Sequence, residues 1–407
     1  MLWAGIDTHL KMHRIEVQND RGDAMLRGRV DNDRPGFGKL LDKLRLIEKS
    51  NNQQIGAVFM NPTGNYHVPV RAYLQSAGFR VILVDVRVSE HIRMTENLGR
   101  EKSDAADASV LASTARLKPS VLKSDGHERL QLSAITRLAN SLKISIARLM
   151  NQIKSDLAAV FPEYPFYDSI DSKTSMAILG MYATAENIRN TTLQDLFQCM
   201  STASRKHYKL QDAESLLGEA VKSIGISDPD GVYAYRIRMN VERLMGEKNR
   251  LAVVEEEIIR LSGNNVDIVH ISEIRGMSRT ASAVIVSEIG DISQFQSAVK
   301  LQAYGGKSPN ISGSGGKVRS TGVTKIRNPY LSNTVFESSV SMVAHRTPEF
   351  LEIFNREIGK GKKPTQAYIV VGKRLLYHVY SIMKNKKPYR ERRQKGGGRS
   401  VSSGAAS

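Results

Sequence analysis

The chain opens on strand text. Residues 2–10, Leu-Trp-Ala-Gly-Ile-Asp-Thr-His-Leu, alternate into an apolar strand, residues 13–18 read as its hairpin partner, and residues 24–30 as a third strand. Pro35 suits a first helical turn and predicts a helix to about Lys49. The pattern then gives a strand over 55–60, a helix near 68–77 and a strand over 80–85. A helix with Ser103 as its cap runs to about Leu117. Residues 120–161 are helical, with Leu130, Leu138, Leu142, Leu149 and Ile153 in one apolar stripe; Pro162 and Pro165 break it. Residues 166–230 are poorly periodic and read as a mainly helical insert. A second long helix, 233–261, carries Leu244, Leu251, Val254, Ile258 and Leu261. Two long helices bracketing an insert predict an antiparallel coiled-coil arm. Beyond it the text is helical over 268–288, around Ile274-Arg-Gly-Met-Ser278, and again over 329–345 and 364–383.

Three early strands followed by β-α-β-α is the order of an RNase H-like fold. Asp7 lies inside a buried-type strand, where a charge is costly unless paired or metal-bound. Asp104 and Asp107 are three apart and share a helix face. Paired carboxylates supply the hard oxygens that Mg²⁺ prefers; acids at a helix start also simply favour its positive end. Residues 304–328 are rich in Gly, Ser, Lys and Arg. Gly306-Lys307-Ser308 is no P-loop, because Leu301 stands where the first glycine belongs and no strand precedes it. The segment reads either as a flexible surface loop or as a cationic site in which glycines leave a serine hydroxyl open to a phosphodiester. The glycine turn at 274–278 reads either as an ordinary turn or as one presenting backbone amides to phosphate.

Composition sharpens the choice of partner. The 407 residues allow two or three domains, and 41% hydrophobic content can bury real cores. A net charge of +18 points to a polyanion, nucleic acid first. The one cysteine, Cys199, excludes an internal disulfide and a cysteine-rich zinc site. No apolar run reaches membrane-spanning length and no signal-peptide pattern opens the chain, so a cytoplasmic, nucleoid-associated protein is expected. Residues 384–399 hold eight Lys and Arg against one Glu and predict a mobile basic arm; residues 396–407 are low-complexity.

The chain carries Gly5-Ile6-Asp7, Thr63-Gly64 with Tyr66, and Lys102-Ser-Asp-Ala-Ala-Asp-Ala108. It also carries Glu288-Ile-Gly-Asp291 followed by Phe295, Tyr304-Gly-Gly with Pro309, Ser314-Gly-Gly, and Thr324-Lys325 with Asn328. In order and placement these marks resemble the one-ten family of insertion-sequence transposases, the bridge-RNA-guided recombinases. The resemblance covers nearly the whole chain, least clearly residues 166–230. It implies a Holliday-junction-resolvase-like, RNase H-like α/β domain over 1–118 and a helical coiled-coil region with insert over 119–264. A mainly α transposase domain over 265–385 and a basic disordered tail over 386–407 would follow.

The resemblance further implies four acids at a Mg²⁺ site. Three fall on Asp7, Asp104 and Asp107; the fourth, a glutamate, falls on Asn61, whose carbonyl can ligate but brings no charge. The nucleophilic serine falls on Ser314, with Ser312 the runner-up, and Lys307, Lys317, Arg319, Lys325 and Arg327 are the expected nucleic-acid contacts. Metal site and serine are expected to form one composite site across protomers of a dimer of dimers. A phosphoserine link to DNA would preserve the bond energy for rejoining. A structured bridge RNA would choose donor and target DNA by base pairing. Two other readings stay open: a metal-dependent junction resolvase or nuclease using water, and a catalytically weakened RNA/DNA-binding homologue.

Overall fold

The computed structural model describes residues 1–62, 65–84, 89, 92–93, 104–117, 127–164, 169–307, 309–314, 317–323 and 327–390, except the side chains of 104, 127–128, 309–314 and 317–323. The expected cap Ser103, the break at Pro165, Ser308, and Thr63, Gly64, Thr324 and Lys325 of the sequence marks lie outside the described residues, as do residues 391–407. The chain divides into two compact units, residues 1–130 with 289–300 and residues 131–288 with 301–407.

The first unit is built on one sheet. Strands β1 (Leu2–Thr8), β2 (Met12–Gln18), β3 (Ala24–Asp31), β4 (Ile55–Met60) and β5 (Val81–Leu83) stand in the order β3-β2-β1-β4-β5. β1, β2 and β3 pair antiparallel as a meander, while β4 and β5 continue the sheet parallel to β1. Parallel neighbours need crossovers, and helices α1 (Arg34–Asn51) and α2 (His67–Ser76) supply them. α1 starts where Pro35 predicts, with the Asp33 carboxylate accepting the Gly36 N–H at 2.7 Å.

Alternation sorts the strand residues onto two buried faces. Leu2, Ala4 and Ile6 join Phe37, Leu40 and Leu44 of α1 and Val70 and Leu74 of α2 in one core. Trp3, Ala57, Phe59 and Ile82 join Leu111 and Ala115 of α3 (Asp104–Leu117) in the other. Gly5 and Asp7 share the parity of Trp3 and so face α3.

The second unit is mainly helical, as expected of the remainder of the chain. The long helices α4 (His127–Val160) and α9 (Val232–Ser262) run antiparallel, with Arg236 paired to Asp156 at 2.9 Å and Lys143 to Glu255 at 3.6 Å further along. Between them lie α5 (Lys173–Met181), α6 (Ala185–Arg189), α7 (Leu193–Ala203) and α8 (Leu210–Lys222). These are no loose insert: Ile178, Leu179, Leu196, Met200 and Leu216 share one core with Leu149, Ile153 and Leu157 of α4 and Ile237, Val241 and Leu244 of α9. Their periodicity is hard to read because the helices are short. Ser172, Thr184 and Thr192 cap three of them and restart the pattern each time.

The C-terminal elements are α10 (Val266–Ser272), α11 (Arg279–Ile289), α12 (Ala298–Tyr304), β6 (Pro309–Ser314), β7 (Lys317–Val323), α13 (Pro329–Ala344), α14 (Pro348–Gly359) and α15 (Pro364–Asn385). The sequence pattern did not predict α14, nor that the glycine- and serine-rich segment forms the antiparallel hairpin β6–β7. The glycine turn between α10 and α11 is covered. A β-carbon on Gly276, at φ +84°, would stand 2.8 Å from the Met342 Cα of α13. The Ser341 and Thr347 hydroxyls donate to the carbonyls of Gly276 and Arg275. Packing against α13 therefore explains this glycine.

The basic tail is anchored further along than expected. The Lys386 ammonium donates to both Asp267 oxygens, at 2.6 and 2.9 Å, and the Tyr389 hydroxyl to Glu349 at 3.0 Å. Among the described residues no helix is long and apolar enough to cross a membrane.

Candidate active site

Two parallel strands bring the first two candidate residues together. Ile6 of β1 stands opposite Met60 of β4, so Asp7 and Asn61 leave neighbouring strands side by side at one edge of the sheet. Asp7 is only 4% exposed, and its carboxylate takes a hydrogen bond from the half-exposed His9 ring at 2.8 Å. The His13 ring in turn accepts the His9 backbone N–H and meets Asn32 at 3.1 Å. Burial lowers the His13 pKa, against the raising effect of the hydrogen bond it donates to the Asn32 side-chain oxygen. Asn61 uses its side-chain oxygen to accept the hydroxyl of the buried Ser89 at 3.5 Å.

The other two acids arrive on α3. Gly5 makes room for this helix: a β-carbon there would stand 2.2 Å from the Ala108 carbonyl oxygen and 2.3 Å from the Ala112 nitrogen. The helix backbone thus lies directly on β1, and α3 is alanine-rich on that face because nothing larger fits. A polar seam fixes its register. The Ser109 hydroxyl donates to the buried Glu16 at 2.9 Å and the Ser113 hydroxyl to Gln18 at 3.2 Å. Arg27 completes Glu16 from the other side at 2.9 Å. Asp107 stands one turn into the helix, half-buried and paired with Arg93. Asp104 opens the helix, and its side chain lies outside the described residues.

The donors at this edge are oxygens: the carboxylates of Asp7 and Asp107 and the amide of Asn61. That set suits a hard divalent cation, and a carboxylate as buried as Asp7 gains from a cation beside it. Among the described residues no three metal-ligating side chains stand together; Asp107 is engaged by Arg93 and Asp7 by His9. Sequence reasoning missed these two partners, and it missed the seam. Glu16 and Gln18 alternating onto a buried face, with Ser109 and Ser113 one helical turn apart, were the signal for the seam.

Ser314 is the last residue of β6 and pairs in register with Lys317, so only Gly315 and Gly316 separate the strands there. This pairing puts Ser314 at the tip end of the two-stranded ladder. Ser312 lies two residues down the same strand, opposite Arg319. Lys317 and Arg319 are on β7, Arg327 is exposed beyond it, and Lys325 lies outside the described residues.

Lys307 differs from the expectation of a phosphate contact. It is 6% exposed, its ammonium donates to the Ser332 carbonyl at 3.1 Å, and it lies 5.7 Å from the Phe336 ring centroid. Burial, with Arg327 nearby, lowers its pKa to about 8. It braces the base of the hairpin from inside.

Comparison with known proteins identifies the family. Residues 4–162 match the DEDD-type IS110 transposase family and residues 269–355 the transposase IS116/IS110/IS902 family, together more than half the chain. The chain is 24% identical over 233 residues to the IS117 mini-circle protein of Streptomyces coelicolor, covering 53% of each. It is 22% identical to the IS116 insertion-element protein of Streptomyces clavuligerus over 95% of both chains. To the IS900 insertion-element protein of Mycobacterium paratuberculosis it is 24% identical over 46% of this chain and 47% of that one. The chain thus spans about half the length of the IS117 and IS900 relatives and nearly all of the IS116 one. A five-stranded sheet ending in the Asp7 edge, a helix seated on Gly5 and a serine at a hairpin tip are what the two matched regions contain: the chain belongs to the IS110 family of insertion-sequence transposases.

Proposed function

We propose that this protein cuts and rejoins DNA as an RNA-guided recombinase of its insertion sequence, through a phosphoserine formed by Ser314. The observation that carries the reading is that Asp7 and Asn61 leave neighbouring parallel strands side by side, on the sheet face covered by α3, the helix that carries Asp107. The 3-2-1-4-5 strand order, with the second strand antiparallel, supports an RNase H-like reading of the first unit. Asp7, Asn61, Asp104 and Asp107 are the residues that would hold Mg²⁺, which would polarise the scissile phosphate and ease departure of an oxygen. Gly5 and the Ser109–Glu16 contact hold α3 at the height this requires. His9 and Arg93 hold the Asp7 and Asp107 carboxylates in place until then.

Ser314, where β6 ends, would be the group that attacks the diester. One P–O bond forms as another breaks, so rejoining needs no ATP. Lys317, Arg319, Lys325 and Arg327 flank it as phosphate contacts, and the +18 charge supports RNA and DNA as partners. A closed oligomer, a dimer of dimers, is the proposed working form. Asn61 favours a second reading, a homologue of weakened activity, because one negative charge is missing from the edge. Asp7→Asn tests the proposal in cells carrying the intact insertion element. Excision circles should vanish while RNA still copurifies with the protein; circles at the wild-type level would reject the metal edge.

A further inference from the structure

The hairpin that bears Ser314 springs from two closely tied ends. Tyr304 closes α12 just before it and Asn328 precedes α13 just after it, and the Asn328 N–H donates to the Tyr304 carbonyl at 2.9 Å. Both ends meet one buried residue, Glu288. Glu288, in the last turn of α11 and 2% exposed, accepts the Asn328 side-chain amide at 2.8 Å, and its own carbonyl accepts the Tyr304 hydroxyl at 3.3 Å. The same amide also reaches the Tyr304 hydroxyl at 3.0 Å. From α4, Arg137 clasps both Glu288 oxygens at 2.8 and 3.0 Å, and Ser133 donates at 3.4 Å. Arg137 lies 5.0 Å from the Tyr330 ring centroid, one turn into α13. The hydrogen bond to Glu288, set against burial, raises the arginine's pKa.

We propose that Glu288 is a positioning residue for the serine hairpin: its carboxylate ties Asn328 to Arg137 on α4, and Asn328 and the Glu288 carbonyl together hold the Tyr304 hydroxyl. The proposal rests on reading Ser314 as the nucleophile. A buried carboxylate with four donors converging on it is a rigid joint, because breaking any one bond leaves a buried polar group short of a partner. A hairpin converts a small tilt at its base into a larger displacement at its tip. Misplacement of a reacting group by about 1 Å costs roughly 10²-fold in rate.

Two variants of the full chain test this. Glu288→Gln removes the charge that Arg137 and Asn328 address. Asn328→Asp keeps the oxygen that caps Leu331 N–H at 3.0 Å but sets a carboxylate against Glu288. If Glu288→Gln fails to fold, Asn328→Asp alone carries the test. Hydrogen exchange on the protein alone should show the amides of 309–314 and 317–323 exchanging about tenfold faster, with α9 unchanged. Excision from the intact insertion element should fall by roughly 10²-fold. That loss should exceed the loss in Leu244→Ala, a core substitution far from the hairpin matched to the variants by its drop in Tm. Unchanged exchange in the hairpin, or an equal loss in Leu244→Ala, overturns the positioning role. Wild-type excision by Ser314→Ala would overturn the serine reading instead, while the exchange rates still decide the anchoring.

Discussion

The Ala108 carbonyl oxygen occupies the space a side chain on Gly5 would need, 2.2 Å from the position of its β-carbon. Backbone therefore lies on backbone where α3 crosses β1, and Asp107 is carried at a height set by that contact.

Gly5→Ala should push α3 outward by about 1 Å and cost about 1–3 kcal/mol of stability, the usual range for overpacking. Excision should fall much further, on the order of 10²-fold, because the acids move with the helix. Thermal denaturation and circle counts from the same variant separate the two effects. Equal activity at reduced stability would mean that the height of α3 does not matter.

Asn61→Glu adds a carboxylate beside Asp7. Affinity for Mg²⁺, followed by calorimetry on the purified protein, should rise on the order of tenfold with the added charge. Asp7→Asn should abolish the binding heat. An unchanged or weaker affinity in Asn61→Glu would place residue 61 outside the cation's reach.

Lys307 gives the protein an alkaline signature. Its folded-state pKa, about 8, lies below the ordinary 10.5. Between those values the unfolded chain holds more protons than the folded one, so stability from this group rises with pH across that window. Denaturant midpoints from pH 7.5 to 10.5 should climb in the wild type relative to Lys307→Met, which keeps the apolar stem without the charge. Parallel curves for the two proteins would contradict the burial of this ammonium.

Much of the first unit was legible. Residues 2–6 and 55–60 stand out as apolar runs because both sheet faces are buried, and Pro35 marks the start of α1 in the sequence as in the structure. The hairpin at 309–323 was not legible. Its apolar positions are sparse, chiefly Ile311 and Val318, and its pairing depends on a glycine turn that reads equally well as a loop. Lys307 was misread for a related reason. Sequence shows a cation among glycines, whereas the burial comes from α13, distant along the chain, through Ser332 and Phe336. Glu288 appeared only as a sequence mark; its role required the convergence of Arg137, Tyr304 and Asn328 from three other elements.

The central claim is a covalent bond between Ser314 and DNA. Full-length protein purified with its bound RNA, mixed with labelled DNA spanning the element's ends and Mg²⁺, is run on a denaturing gel. The account predicts label migrating with the protein, released by protease, absent in Ser314→Ala and retained in Ser312→Ala. Because Asn61 lacks the usual charge, Asn61→Glu is run beside the wild type and should give at least as much adduct. Adduct that persists in Ser314→Ala, or DNA cleaved with no label on either protein, would contradict the serine mechanism and favour attack by water.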